Sequence, residues 1–100
     1  QTLCAALTEI CWPQMARAQF ARDAVMASVL REFAPRGVVL LAGNGHVRRD
    51  IGVPRWLDGA TLDRVISIGF LERGQSEGPA TAFDAVVQTA PAPRSDPCAE

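Results

Sequence analysis

The sequence has no lysine and no tyrosine, and its single histidine is His46. All ten basic residues are therefore arginines, whose forked guanidinium groups suit the clamping of carboxylates because each donates two hydrogen bonds at once. The eleven acidic residues leave a net charge of −1, which argues against nucleic acid as the main partner.

Long apolar runs are also missing, since no stretch approaches the roughly 18 residues that a membrane span requires. The chain opens at Gln1 with no initiator methionine and no basic-then-apolar leader. We therefore expect a soluble fragment whose natural N-terminus has been lost, which leaves room for membrane association through a lost anchor.

Several chemical signatures are absent as well. The cysteines Cys4, Cys11 and Cys98 form no CxxC pair, so a structural zinc site has no support. Cys4 and Cys11 would lie about 10 Å apart on one helix, too far for a disulfide, and the pairing of Cys98 stays open. The phosphate-loop pattern GxxxxGK[ST] and the nucleophile elbow GxSxG do not occur.

The pattern of apolar residues predicts one small α/β domain over residues 1–100 with an irregular tail from residue 90. The strongest helix is predicted from Pro13 to Phe33, with a boundary at Trp12-Pro13. Five consecutive apolar residues, Val38–Ala42, are typical of a central strand of a parallel sheet.

Further along the chain, a short helix carrying Arg55, Trp56 and Leu57 is expected after Gly52-Val53-Pro54, closed by Asp58-Gly59. A second strand is predicted at 64–71. The stretch 72–81 is too short for a helical crossover, so the strand at 83–89 is expected to return antiparallel. The fold class is thus a small, mainly parallel sheet with one long helix, a short helix after the Gly43–His46 turn, and an antiparallel C-terminal edge strand.

The main helix carries polar residues where apolar ones are expected. At 100° per residue, Gln19 and Asp23 fall near the middle of its apolar face, and Arg22 falls at the edge of that face. A carboxylate there needs a partner, because an unpaired buried charge is costly. In the structural interpretation, Asp23 caps a neighbouring loop or forms an ion pair with Arg22 or Arg48. In the functional interpretation, Asp23 is part of a site.

The turn Gly43-Asn44-Gly45-His46 follows the predicted buried strand. In open α/β sheets, ligands bind outside the carboxyl ends of the strands, and small residues there allow close approach of backbone amides. His46 suits metal ligation, haem contact or proton transfer at neutral pH. The alternative is a histidine in a surface loop with no role in a site.

The order and spacing of these segments resemble the ChaN-like haem-binding uptake family of the Tiki/TraB superfamily. The resemblance rests on 19–27, on the run 38–42, and on Gly43–Pro54 with its GxxH and Gly-Val-Pro patterns. It extends to the closing 83–89 strand and the Asp-Pro-Cys at 96–98, so it covers about residues 14–98. It implies that the chain is the C-terminal part of a larger α/β domain.

The resemblance implies a bacterial, envelope-associated lipoprotein that binds haem in iron uptake and is not an enzyme. His46 would meet haem or metal, with Gly43, Asn44 and Gly45 shaping its turn. A supporting polar cluster is formed by Gln19, Arg22 and Asp23. Arg48 or Arg49 would pair with a haem propionate. Because the chain has no tyrosine, a tyrosine ligand to iron would have to come from elsewhere.

Two other functions stay open. In a metal-dependent hydrolase half-site, His46 would hold a divalent metal, although catalytic zinc normally takes three protein ligands and this chain offers one histidine. An inactive fragment would expose apolar sheet edges and self-associate, giving a homo-oligomer.

Overall fold

The computed structural model describes the backbone of residues 3–93 and the side chains of residues 13–93. Helix α1 runs from Leu3 to Phe33 without interruption. The boundary predicted at Trp12-Pro13 is therefore wrong, because Pro13 lies inside the helix. One proline removes a single backbone hydrogen bond, and the alanine-rich turns that follow it favour the helix strongly enough to continue.

A single 3-10 turn, Ala34–Arg36, ends the long helix, and Gly37 follows it at a φ of 82°. The next residues, Val38–Ala42, form neither a helix nor a strand, so the prediction of a buried central strand is wrong. Val39 and Leu41 are 85% and 90% exposed, and only Leu40 packs against the core. A strand exists only when its backbone is paired, and within the described residues no backbone group of this run is hydrogen-bonded.

Three short helical segments follow. Helix α2 spans Asn44–Val47, a 3-10 turn spans Val53–Trp56, and helix α3 spans Gly59–Leu62. The predicted short helix after Gly52 is thus a single 3-10 turn. Asp58 begins α3 instead of closing the preceding helix, because its carboxylate accepts a hydrogen bond from Thr61 N. That bond lowers the pKa of Asp58.

The sheet has two strands in the described part of the chain, β1 (Ile68–Glu72) and β2 (Ala85–Thr89). They pair in parallel, with Ile68 opposite Ala85 and Glu72 opposite Thr89, so the prediction of an antiparallel edge strand is wrong. The connection needs no helix, because residues 73–84 are ample, at about 3.3 Å per residue, to return along a five-residue strand. Overall the chain is a mixed α/β structure.

The core lies where α1 meets the 3-10 turn. Ala27 is fully buried, Val53 is 1% exposed and Leu57 is 8% exposed, and they form one cluster. The Gly52-Val53-Pro54 stretch is thereby explained, since Val53 is the side chain that fixes the loop to α1. None of the helices in the described part of the chain combines the length and the hydropathy that a membrane span needs.

One face of the segment that contains β1 carries exposed apolar side chains. Between residues 65 and 71 the odd positions are buried or half-buried, and the even positions, Ile66, Ile68 and Phe70, are exposed. Val39 and Leu41 are exposed as well. One face of β1 is therefore covered and the other is exposed. The tail from residue 94 and the pairing of Cys4, Cys11 and Cys98 lie outside the described side chains.

Candidate functional site

The centre of the candidate site is a contact between α1 and α2. His46 Nδ1 lies 2.5 Å from Asp23 Oδ1. The Asp23 side chain is 4% exposed and that of His46 is 20% exposed. The acidic residue on the apolar face of α1 is therefore satisfied by the only imidazole in the chain, and not by Arg22 or Arg48.

The backbone around His46 is held from two sides. His46 N donates to Gly43 O at 2.9 Å, which closes the single turn of α2. Gly52 N donates to Arg48 O at 2.9 Å. A side chain at Gly52 would press on this turn, since its Cβ would lie 2.6 Å from His46 C and 2.8 Å from Arg48 O. Glycine at position 52 therefore lets the core-forming loop approach the helix that carries His46.

A third restraint comes from Asn44. Its amide donates to Phe70 O at 2.7 Å and accepts from Phe70 N at 3.2 Å. The side chain thus makes the two hydrogen bonds that a neighbouring strand would make to β1 at this position. Asn44 serves as a structural link in the described structure, because it fixes the start of α2 against the sheet.

Beside His46 is an open groove with a volume of about 580 Å³. That volume falls within the roughly 300–1,000 Å³ typical of small-molecule sites. Most of the lining is apolar, with one imidazole and one guanidinium. The lining residues are Ala21, Arg22, Val25, Met26, Ala42, Gly43 and His46. One wall is a stripe of α1 and the other is the end of the 38–42 run with α2.

The two remaining polar residues of the predicted helical cluster lie at this groove or next to it. Arg22 Nη1 donates to Gln19 Oε1 at 3.1 Å, and both side chains are exposed. In the described structure the Gln19 side chain makes no hydrogen bond to Asp23 or His46. The three residues therefore divide into a buried partner of His46, Asp23, and an exposed pair, Arg22 with Gln19.

Arg48 lies away from the groove lining and is held by carboxylates. Its guanidinium bonds Asp50 at 2.6 and 2.9 Å and reaches Glu77 at 3.4 Å. Gly78, at a φ of 72°, packs against it so closely that a Cβ would lie 2.5 Å from Nη2. The hydrogen bonds that Arg48 donates to Asp50 raise the pKa of Arg48 and lower the pKa of Asp50.

Arg49 is held in a similar way at the other end of the 73–84 connection. It bonds Asp84 Oδ2 at 2.9 Å, and Asp84 also accepts from Ser67 N at 2.7 Å. Ser67 is buried and its hydroxyl donates to Val47 O. Sequence reasoning missed Asp50, Ser67, Glu77 and Asp84. The spacing of Arg48 and Asp50 was the only local signal, since the other partners are distant in sequence.

The glycines of the predicted turn are less constrained than their spacing suggests. A Cβ at Gly45 would meet nothing within 4 Å, and one at Gly43 would be in ordinary contact, 3.8 Å from His46 Cδ2. Neither has a positive φ. Gly43 does line the groove, so its missing side chain keeps that wall open.

Sequence reasoning also missed part of the apolar lining. Ala21 and Val25 are four residues apart on α1, as are Arg22 and Met26, so each pair lies on one stripe. The spacing was readable, but no sequence feature identified Ala42 as the opposite wall.

A metal centre was the alternative prediction for His46. Among the side chains that the structure describes, no group of three or more His, Cys, Asp or Glu residues is arranged to hold a metal ion. Of the described residues of these four types, only Asp23 and His46 meet at the site, and their contact is with each other.

Comparison with known proteins identifies a family for this chain. A family model described as haem-binding uptake, Tiki superfamily, ChaN matches residues 3–57, which include Asp23, His46 and every residue of the groove. The strands β1 and β2 lie beyond the matched range. Neither the curated proteins nor the solved structures include a significant match. Since the match covers more than half of the sequence, the chain belongs to the ChaN haem-binding uptake family of the Tiki superfamily.

Proposed function

We propose that the groove between α1 and α2 binds haem, with His46 Nε2 as the protein ligand to iron. The observation that carries this proposal is the contact between Asp23 Oδ1 and His46 Nδ1 at 2.5 Å beside an apolar groove. Histidines that ligate metals almost always donate their other ring N–H to a carboxylate, a carbonyl or water.

The contact decides which nitrogen is available. A carboxylate accepts hydrogen bonds, so the proton of a neutral His46 ring belongs on Nδ1. The lone pair is then on Nε2, on the far side of the ring from Asp23. No residue that the structure describes hydrogen-bonds Nε2. Asp23 thus fixes the tautomer and the orientation of the His46 ring.

The walls of the groove suit the rest of such a ligand. Ala21, Val25, Met26 and Ala42 present apolar surface, which favours a flat macrocycle leaving water. Bound haem would supply an iron that takes a nitrogen ligand and a dicarboxylate edge that seeks a cation. The groove lining contains both a nitrogen ligand, His46, and a cation, Arg22.

The biological setting is part of the same proposal. The family description supports a haem-binding uptake role. We propose that the chain binds haem without catalysing a reaction, in bacterial iron uptake at the cell envelope. Fractionation of the native host, followed by detection of the protein, would test the location. Recovery in the cytoplasm alone would contradict that part.

The experiment that tests the site is a haemin titration of two matched tryptophan variants. Ala21→Trp places a large ring in the groove, whereas Ala60→Trp places the same ring on an exposed position of α3 outside it. We expect Ala21→Trp to weaken haemin binding by at least about tenfold, a loss of roughly 1.4 kcal/mol of binding free energy. Ala60→Trp should bind as the wild type does.

Two results would overturn the proposal. One is a wild-type chain that binds haemin no more tightly than a protein without a haem site. The other is an Ala21→Trp variant with unchanged affinity, which would mean that haemin binds outside the groove. Circular dichroism of both variants would show that α1 is intact.

A further inference from the structure

The arginines near the site differ in whether a carboxylate already holds them. Arg48 contacts Asp50 and Glu77, and Arg49 contacts Asp84. Arg22 has no carboxylate within ion-pairing distance among the described residues, and its only hydrogen bond is to the neutral Gln19 at 3.1 Å. It is also the only arginine of the three that lines the groove.

A guanidinium with no acidic partner at the edge of an apolar groove favours an anionic group on the ligand. Arginine donates in a planar fork that matches a carboxylate in two parallel hydrogen bonds. Gln19 holds one nitrogen of this fork, so part of the entropy cost of fixing the long side chain is already met. The remaining donors are free for a ligand.

We infer that Arg22 is the residue that recognises a carboxylate of the bound ligand, and that Arg48 and Arg49 instead tether the 73–84 connection. This inference rests on the proposed function, because the ligand is taken to occupy the groove beside His46. It replaces the expectation that Arg48 or Arg49 pairs with a propionate. It also makes Arg22 a specificity determinant, which distinguishes an acidic porphyrin from a neutral one.

The tethering role follows from the contacts of Arg48. Withdrawing its guanidinium to reach a ligand would leave Asp50, Glu77 and the close packing of Gly78 without their partner. Arg55 is a competing candidate, since it lines a second groove of about 310 Å³ with Phe20 and Trp56. That groove includes neither His46 nor Asp23, so it lacks the imidazole on which the proposed site depends.

The test is a double comparison of protein and ligand. Haemin and haemin dimethyl ester are titrated on the wild type, Arg22→Gln, Arg48→Gln and Arg17→Gln. The ester has the same iron and ring but no carboxylates. Arg17 is an exposed residue of α1 outside the groove, so its variant controls for loss of one positive charge.

We expect the wild type to prefer haemin over the ester by about tenfold, the value of one hydrogen-bonded charge pair at a partly exposed site. Arg22→Gln should lose that preference and bind both ligands alike. Arg17→Gln and Arg48→Gln should keep the preference for haemin. Arg48→Gln should instead lower the free energy of unfolding.

Failure of the inference is distinct from failure of the proposed function. A preference that survives in Arg22→Gln, or that disappears in Arg48→Gln, overturns the inference while haem binding stands. The inference also fails, while haem binding stands, if the wild type binds both ligands equally and this binding is lost in His46→Ala. A wild type that binds neither ligand overturns both proposals.

Discussion

Asp23 Oδ1 and His46 Nδ1 lie 2.5 Å apart, although the two residues are separated by 23 positions in the sequence. The carboxylate is on the buried side of α1, and the imidazole stands on the single turn of α2 at the groove. The pair explains why Asp23 can lie on the apolar face of α1, since a buried carboxylate requires a hydrogen-bonding partner and His46 supplies it. It also connects the fold to the proposed ligand site, because residues of both helices line the groove.

The first prediction concerns the carboxylate. Asp23→Ala should weaken haemin binding by about 10-fold to 100-fold, the usual effect of removing a hydrogen-bonding partner of a ligating histidine. Asp23→Asn should weaken haemin binding less than Asp23→Ala does, because the amide oxygen still accepts a hydrogen bond from Nδ1–H. Some affinity should still be lost, because the amide carries no charge. Titrations that follow the Soret band would measure both constants. Glu32→Gln, which removes a charge from an exposed position of α1, is the control. Equal affinities for Asp23→Ala and the wild type would contradict the role of Asp23.

The second prediction concerns the glycine beneath His46. Gly52→Ala should destabilise the fold by about 1–3 kcal/mol, because the new methyl group meets backbone atoms of His46 and Arg48 that cannot rotate away. Gly45→Ala is the matched control, with open space around the new Cβ and a helical position that favours alanine. Urea denaturation would measure both free energies of unfolding. An unchanged Gly52→Ala would show that the loop and α2 are not in close contact.

The third prediction separates the core from the exposed run. Val53→Ala should lower the free energy of unfolding by on the order of 2 kcal/mol, since Val53 is buried among Ala27 and Leu57. Val39→Ala should change it by less than about 0.5 kcal/mol, because Val39 is 85% exposed. Chemical denaturation of the two variants under the same conditions makes the comparison. Equal losses would mean that the 38–42 run is a buried strand after all.

The fourth prediction concerns acid stability. The hydrogen bond from Arg48 lowers the pKa of Asp50 below its ordinary value of 3.8, so the pair stabilises the folded state above that pH. The contribution is lost as the pH falls through the lower, folded-state value. Asp50→Asn should therefore be less stable than the wild type near neutral pH, by less than about 1 kcal/mol for this partly exposed pair. The difference should shrink below about pH 4. A difference that is constant from pH 7 to pH 3 would contradict the account.

The helix and the polar cluster on it could be read from the sequence because both depend on local properties. Helix propensity and a period of 3.6 residues predict α1 from Pro13 onward and mark Asp23 as misplaced on an apolar face. Which group would satisfy Asp23 depends on chain folding between distant residues. From sequence position alone, the candidate partners of Asp23 were Arg22, Arg48 and a loop that Asp23 would cap. In the structure the partner is His46.

The sheet was harder to predict because strands depend on partners and not on propensity alone. The run at 38–42 has a strand-like composition, yet no described segment pairs with it. The direction of β2 was predicted from the length of the connection, on the assumption that a parallel return needs a helix. Arg48 and Arg49 instead hold an irregular connection through Glu77 and Asp84, and these contacts join residues distant in sequence.

The central claim is that His46 acts by ligating iron, and it is tested most directly by comparing haemin with iron-free protoporphyrin on the wild type and His46→Ala. Both ligands have the same ring and the same carboxylates. We expect the wild type to bind haemin more tightly than protoporphyrin, and His46→Ala to lose that advantage and the associated Soret shift while binding protoporphyrin as before. A His46→Ala variant that keeps the full advantage for haemin would contradict the account.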